Sequence, residues 1–271
     1  MRTRPRLNPS LATAAALLLL AASALLASAC KSAGQPSTPG PAATTSPTSD
    51  GDNTTPTGEP SPDATGSTAN GDIKKAEEVL RLTVLQPDQL PEGLQAVSDS
   101  FASNEDYIES SPDPETAREN VERWGRILSH ETNFQPTADA ASDTSVRAIT
   151  STSSLYETAE GAALSFADAR KTIDETDWQA THPELEQFRE ERITPDIPAD
   201  ELVWLRISGI STSLGGIIIE DYIIFRVGRQ RGYMRVVTAA PGEDRTLQLD
   251  EVEGWLRAQV QAAKDTLDTG A

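Results

Sequence analysis

Apolar residues recur at helical spacing in three segments of the chain, and each segment predicts an amphipathic helix. The first has Asp113 as its N-cap and Pro114 at the first helical position, and its stripe comprises Ala117, Val121, Trp124 and Leu128. The second begins near Thr158, and its stripe comprises Ala162, Phe166, Ala169 and Ile173. The third runs from Leu249 to Leu267, with a stripe of Val252, Leu256, Val260, Ala263 and Leu267.

Alternating and β-branched runs predict the strands between these helices. They are "LQAVSDSFA", "SVRAITSTSSLY", "ELVWLRIS", "GIIIEDYIIFRV" and "GYMRVVTAA". The last two are separated by "GRQR", which predicts a hairpin and antiparallel pairing. Residues 176 to 200 read as irregular, with a short helix in "PELEQFREE". The order β-α-β-α-β-β-β-α predicts the α+β class, in which amphipathic helices pack on an antiparallel sheet.

Residues 1 to 29 have the pattern of a secretion signal. Arg2, Arg4 and Arg6 precede an uncharged run from Leu11 to Leu26, and small residues follow it. The run is shorter than the roughly twenty apolar residues of a spanning helix, so we interpret it as a cleaved signal rather than a permanent anchor.

The sole cysteine, Cys30, follows the small residues directly in "LASAC". This sequence resembles the lipobox of bacterial lipoproteins, although Ala27 occupies the position at which that family prefers leucine. The resemblance implies that Cys30 receives a diacylglyceryl thioether and becomes the mature N-terminus. Two acyl chains hold a protein firmly to a bilayer, so we expect an extracytoplasmic, lipid-anchored protein on the cell membrane.

Composition divides the rest of the chain in two. Residues 30 to 72 contain seven prolines and, after Cys30, no apolar residue larger than alanine, which predicts a disordered tether. The "DGDN" within it lacks the later ligand positions of a calcium loop, so we expect no metal there. Residues 73 to 271 contain every aromatic residue and predict one globular domain.

A second resemblance concerns this domain. "LTVLQPDQLPEGLQAV", "YIIFRVGRQRGYMRVVTAA" and the closing amphipathic helix are loosely similar to the PsbP-like α/β/α domains of secreted actinobacterial-type lipoproteins. The resemblance implies an architecture and supplies no catalytic residues.

Charge excludes one class of partner. The chain has a formal net charge of −19, and a protein this acidic is repelled by phosphate backbones, so we expect no nucleic-acid binding. The lipid, rather than surface charge, is then expected to hold the protein at the membrane.

The search for catalytic and metal motifs yields no site. His130 lacks a second histidine at the zinc-protease spacing, and His182 reads as a solvated loop residue near two glutamates. "ISGISTSLGG" is followed by a strand rather than a helix, which favours a hairpin connection over a nucleophile elbow or phosphate loop. We therefore predict no catalytic residues, no metal and no cofactor.

Arginines are concentrated between residues 201 and 245. Strand alternation places Arg206, Arg226 and Arg235 on one predicted sheet face, where they form a candidate site for bidentate binding of a carboxylate or phosphate. The alternative is cross-strand pairing with Glu220 and the acidic helices. Asp221 falls among core-facing positions, which predicts either a bulge or a buried pair with an arginine.

The leading hypothesis is a non-catalytic, membrane-tethered module that binds a small ligand or an envelope protein. The first alternative is an envelope hydrolase that uses paired carboxylates, with Asp99, Asp106 and Glu109 as candidates. The second is a carrier of apolar ligands, which requires a large dry cavity.

Overall fold

The computed structural model describes residues 66 to 142, 144 to 240 and 248 to 268, with side chains from residue 72 and to residue 267. Its helices are α1 Gly66–Thr83, α2 Asn104–Ser110, α3 Pro114–Trp124, α4 Ala159–Glu175, α5 Trp178–Thr181 and α6 Leu249–Asp268. Its strands are β1 Leu94–Ala102, β2 Arg126–Pro136, β3 Val146–Tyr156, β4 Leu185–Ile193, β5 Glu201–Ser211, β6 Ile217–Val227 and β7 Gln230–Ala240.

Several sequence predictions fall on the N-terminal part of the chain. The signal, Cys30, the "DGDN" stretch and the tether as far as residue 65 lie outside the described residues. Helix α1 begins at Gly66, whereas composition places the start of the domain at Ile73.

The seven strands form one antiparallel sheet in the order β1-β2-β3-β7-β6-β5-β4. The predicted hairpin between β6 and β7 is present, with Gly228 in the left-handed region (φ 54°) at the first loop position. Because helices pack on both faces of this sheet, the prediction of an α+β fold is confirmed.

One sheet face is covered by α1 and α6 and is called the α6 face below. The predicted stripe of α6 packs there against large apolar side chains, among them Phe134, Trp204 and Phe225, all at most 1 % exposed. Helix α1 adds a smaller cluster around Leu80 and Leu128. This face carries the main hydrophobic core.

The opposite face, called the α4 face, is covered over only part of its width. Phe166 and Ile173 of α4 and Trp178 of α5 pack on Leu205, Ile207 and neighbouring residues of β5 to β7. At one end, α2 and α3 join α4 through Trp124, Tyr156 and Ala162. Over β1 and β2, the main helical contact with this face in the described ranges is the short helix α2.

The predicted helices are present, and the first ends earlier than its stripe suggests. The Asp113 side chain accepts a hydrogen bond from the Thr116 backbone N–H at 3.1 Å, and Pro114 begins α3. Gly125 then adopts a left-handed conformation (φ 58°), which terminates the helix. Leu128 consequently belongs to β2, a strand that the sequence did not predict.

The predicted short helix in "PELEQFREE" is wrong. These residues contain strand β4, which pairs with β5 at the sheet edge and has an irregular register between Glu186 and Arg189. Gln187, inside this irregularity, has a positive φ of 50°. Glutamate, glutamine and arginine favour helices intrinsically, and here tertiary pairing overrides that preference.

Candidate functional site

The three arginines predicted to share one face are divided between the two faces. Arg206 lies on the α6 face, where its Nε and Nη2 donate to Asp221 Oδ1 and Oδ2, each at 2.8 Å. Trp204 Nε1 donates to the same Asp221 Oδ1 at 2.6 Å. The predicted single-face arrangement is therefore wrong for Arg206, and Asp221 is explained by the buried pair.

Arg226 and Arg235 lie on the α4 face, and each contacts carboxylates. Arg226 donates to Glu201 at 2.5 Å and to Asp200 at 3.0 Å. Arg235 donates twice to Glu220 Oε2, from Nη2 at 2.6 Å and from Nε at 3.0 Å. The alternative of cross-strand pairing with Glu220 is thus found for Arg235. Ligand binding by Arg206, Arg226 or Arg235 stays a prediction.

His182 is buried, with 7 % of its surface exposed, so the interpretation as a solvated loop residue is wrong. Its Nδ1 donates to the Trp178 carbonyl oxygen at 2.9 Å, which directs Nε2 toward Glu220 Oε1 at 3.7 Å. That distance is that of an ion pair rather than a hydrogen bond. A neutral ring with its proton on Nδ1 would turn the Nε2 lone pair toward a carboxylate, so this arrangement favours the protonated ring.

The pKa values of this pair are shifted in opposite directions. Burial lowers the pKa of His182, but the interaction with Glu220 outweighs burial and raises the pKa above its ordinary value. Burial raises the pKa of Glu220, but His182 and the charge of Arg235 outweigh burial and lower the pKa to about 2. Glu220 and Arg235 are therefore charged at neutral pH, and the raised pKa of His182 favours its protonated form. The cluster of His182, Glu220 and Arg235 holds α5 against the sheet.

His130 does not have the ring contacts of a catalytic triad. Its Nε2 lies 2.5 Å from Asp99 Oδ1, but its Nδ1 faces the Leu80 carbonyl oxygen at 3.4 Å rather than a nucleophile. The ring is 2 % exposed and lies beneath α1, stacked on Phe101 with centroids 4.3 Å apart. We interpret it as a structural residue.

The candidate carboxylates of the hydrolase alternative have structural contacts. Asp106 caps α2 by accepting hydrogen bonds from the hydroxyl and backbone N–H of Ser103, each at 2.8 Å, and these bonds lower the pKa of its carboxyl. A general acid requires a pKa shifted upward. Glu109 is exposed on the same helix, and Asp99 contacts His130.

A surface groove of about 390 Å³ lies along α4. Its lining consists mainly of charged side chains, namely Arg170, Lys171, Asp174, Glu175 and Glu201, beside Phe166 and Ala167. Apolar ligands bind in pockets lined predominantly by hydrophobic residues, so this groove does not have the character that the carrier alternative requires.

Polar side chains occupy the part of the α4 face that the described helices leave accessible. We call this surface the open polar face; it comprises Ser98, Ser100, Glu131, Asn133, Thr150 and Thr152. The two serines are exposed and the other four residues are partly buried. At the same level, the sheet continues to Tyr233 and Arg235 of β7.

Hydrogen bonds preorganise the open polar face. Asn133 Nδ2 donates to Ser98 Oγ at 2.9 Å and to Glu131 Oε1 at 2.8 Å. Thr150 Oγ1 donates to Asn133 Oδ1 at 2.6 Å, and Thr152 Oγ1 to Glu131 Oε2 at 3.2 Å. Side chains from three strands are thereby joined by these hydrogen bonds.

Two further arginines adjoin this face, and the sequence analysis did not select them. Arg126 is 6 % exposed, and all four of its Nη hydrogen bonds go to neutral groups. The acceptors are the carbonyls of Ala102 and Ser103, the side-chain oxygen of Asn104 and the hydroxyl of Ser129. Its guanidinium also lies 5.1 Å from the centre of the Tyr107 ring.

Arg231 is the second of these residues. Its Nη1 donates to the carbonyl oxygen of Ser165 at 3.2 Å and to the hydroxyl of Ser165 at 2.7 Å. Its Nε is buried without a hydrogen-bond partner, and no described residue accepts a hydrogen bond from its Nη2. The only signal for it in the sequence is the arginine excess after residue 201, because nothing in that pattern distinguishes a paired arginine from an unpaired one.

The described residues hold no group of three or more histidine, cysteine, aspartate or glutamate side chains arranged to bind a metal ion. No helix within the same ranges is long and apolar enough to cross a membrane.

Comparisons with known proteins give one structural similarity. No family model and no curated protein matches the chain. Among solved structures, it is similar to the extracellular domain of PknH from Mycobacterium tuberculosis, with 5 % identity and a TM-score of 0.45. The match covers 71 % of this chain and 96 % of that domain.

Proposed function

We propose that this protein is a lipid-anchored, extracytoplasmic binding module without catalytic activity. The anchor part of the proposal rests on the N-terminal sequence, in which a basic start, an apolar run and small residues lead directly to Cys30. The domain then acts on ligands that it meets within reach of its tether.

The observation that supports a binding role is the open polar face. The two helices of the α6 face cover apolar clusters, whereas the described part of the α4 face leaves a preorganised polar network accessible across three strands. Antiparallel sheets can leave one face solvated, and here the solvated face carries side chains that are already joined by hydrogen bonds.

The chemistry of the face favours a small polar ligand over a protein. Protein interfaces depend on buried aromatic and apolar anchors. The open polar face offers two threonine hydroxyls, an amide and a carboxylate, with Tyr233 as the adjoining aromatic residue. These groups suit a ligand rich in hydroxyl or amide groups.

Native mass spectrometry of the full chain, purified from the organism that produces it, tests the binding role. We expect a bound small molecule that is lost when Thr150 and Thr152 are both replaced by valine, because that change removes two hydroxyls and keeps the side-chain shape. Thr172→Val on α4 is the matched control and is expected to retain the ligand. Retention of the same bound small molecule by the double variant would contradict the proposal. A bound protein in place of a small molecule would also contradict it.

Cell fractionation tests the anchor separately. The wild-type chain is expected in the membrane fraction, and Cys30→Ala is expected to release it because no thioether forms. Ser32→Ala changes a neighbouring residue and leaves the acylated sulfur in place. Membrane retention of the Cys30→Ala protein at its mature size would refute lipid anchoring.

A further inference from the structure

We infer that Arg126 and Arg231 form a binding site for a phosphate group, at the end of the α4 face where α2 and α4 meet the sheet. This inference deepens the proposed function, because it assigns an anionic group to the ligand of that face. The inference does not depend on the lipid anchor.

The sheet register brings the two arginines to the same face. Ser129, which accepts a hydrogen bond from Arg126 at 2.6 Å, is the cross-strand neighbour of Ser154. Ser154 is in turn the neighbour of Arg231. Two strand spacings therefore separate the ends of this row, about 10 Å between backbones.

Neither guanidinium has a carboxylate within 4 Å among the described residues. The contacts of Arg126 are carbonyls, an amide oxygen and a hydroxyl, and those of Arg231 come from Ser165 alone. Burial is the main cause that lowers the pKa of Arg126, and the nearby charge of Arg231 lowers it further, whereas Tyr156, Tyr107 and Asp106 act in the opposite direction. Burying cations without counter-charges is unfavourable.

Three other arginines of β5 to β7 are paired with carboxylates. Arg206 is paired with Asp221, Arg235 with Glu220, and Arg226 with Asp200 and Glu201. Arg226 is the direct cross-strand neighbour of Arg231 on the same face. With a net charge of −19, the chain has many carboxylates, yet none within the described ranges lies within 4 Å of either guanidinium.

Arg231 keeps donor capacity that the described residues do not use. Its Nη1 is held by Ser165 and its Nε is buried without a partner, so Nη2 is the donor left to a ligand. Arg126 adds a second positive charge fixed by its four hydrogen bonds. The hydroxyl of Tyr107, which makes no hydrogen bond within the described part of the chain and lies near both charges, supplies a further donor.

Two positive charges favour a dianion over a monocarboxylate. A phosphate group carries a charge between about −1.5 and −2 at neutral pH and presents three acceptor oxygens. Free phosphate and a phosphate ester share this chemistry, and they are distinguished by comparing inorganic phosphate with glycerol 3-phosphate.

Isothermal titration calorimetry of the purified full chain with these two probes tests the site. We expect saturable binding of at least one probe, and we expect Arg231→Gln to raise the Kd by about tenfold or more because a positive charge and its charge-assisted hydrogen bond are lost. Arg231→Lys keeps the charge without the fork and is expected to weaken binding as well. Stronger binding of the ester than of free phosphate would identify an esterified ligand.

Arg257→Gln is the control, since it removes the same charge from an exposed pair with Glu253 on α6, away from this face. Its Kd is expected to change by less than about twofold. Absence of binding to the wild-type chain up to about 10 mM of either probe, or equal losses in Arg257→Gln and Arg231→Gln, would overturn the inference. Succinate binding as tight as phosphate binding would overturn the choice of phosphate.

The Thr150→Val and Thr152→Val changes are expected to leave phosphate affinity intact. Failure of the ligand-binding proposal for the open polar face is therefore distinguishable from failure of the phosphate site.

Discussion

Arg206 and Asp221 face each other across β5 and β6, joined by two hydrogen bonds of 2.8 Å, and their side chains are 3 % and 1 % exposed. Trp204 donates to the same carboxylate from the position two residues earlier on β5. An ion pair is thus enclosed within the principal hydrophobic core, where each partner depends on the other for neutralisation.

Replacement of Asp221 by asparagine is expected to lower the free energy of unfolding by about 3–5 kcal/mol, because it leaves the Arg206 charge buried without a counter-ion. Urea unfolding followed by tryptophan fluorescence measures this change. Glu253→Gln breaks the exposed pair with Arg257 and is expected to cost less than about 0.5 kcal/mol. Similar losses for the two variants would argue against a strongly coupled buried pair.

Stability is expected to decrease on the acid side because of Glu220. Its pKa is about 2 in the folded protein against an ordinary 4.5, so its contribution is complete above about pH 4.5 and is lost as the pH falls toward 2. The difference corresponds to about 3 kcal/mol. Urea midpoints measured across this range are expected to fall in the wild type and to change less in Glu220→Gln.

His182 is expected to make the free energy of unfolding depend on pH on the alkaline side as well. Because its folded-state pKa is raised, its contribution is complete below the unfolded value of about 6.5 and is lost as the pH rises through the folded value. The groups that face it are Glu220 from β6, with Arg235 behind it, and Glu184 from its own loop. His182→Gln is expected to abolish this loss of stability with rising pH. An unchanged pH dependence of stability on the alkaline side in that variant would contradict the assignment.

Two glycines are expected to respond oppositely to alanine. A Cβ at Gly232 would lie 2.1 Å from Cζ of the buried Phe225 ring, so Gly232→Ala is expected to destabilise the protein by about 1–3 kcal/mol. A Cβ at Gly254 meets nothing within 4 Å, and that residue lies inside α6. Gly254→Ala is therefore expected to stabilise by about 0.5–1 kcal/mol. Thermal unfolding of both variants provides the comparison, and destabilisation by Gly254→Ala would contradict the described packing.

The N-cap of α3 offers a smaller, local prediction. Asp113→Ala removes the hydrogen bond to the Thr116 N–H and is expected to cost about 1 kcal/mol. Asp139→Ala removes a carboxylate from an exposed position outside any helix or strand and is expected to remain within about 0.5 kcal/mol of the wild type. Urea titration distinguishes the two, and equal effects would indicate that the cap bond is not formed in solution.

Local patterns predicted those elements whose sequence preference agrees with their packing. The stripes of α4 and α6 and the β-branched runs of β6 and β7 point to the core that they form. Strands β2 and β4 were missed because their sequences are polar on one side or rich in helix-favouring residues, and only pairing with β3 and β5 makes them strands.

The candidate site was less accessible to sequence reasoning. Alternation within one strand gives relative orientation, but the cross-strand register decides that Arg206 opposes Asp221 while Arg235 opposes Tyr222 on the other face. Burial of His182 depends on α5 and β6, which are far apart in sequence. The isolation of Arg126 and Arg231 from carboxylates is likewise a property of the assembled sheet.

The charged edge strand β4 has a consequence for how copies of the protein meet. Its outward residues include Glu186, Arg189, Glu190, Glu191 and Arg192, and Gln187 interrupts its regular backbone. Such an edge resists the addition of a strand from another molecule. Even where many copies gather at high local density, the sheets of two copies are not expected to join edge to edge through β4. The β4 edge is therefore protected from fibrous aggregation.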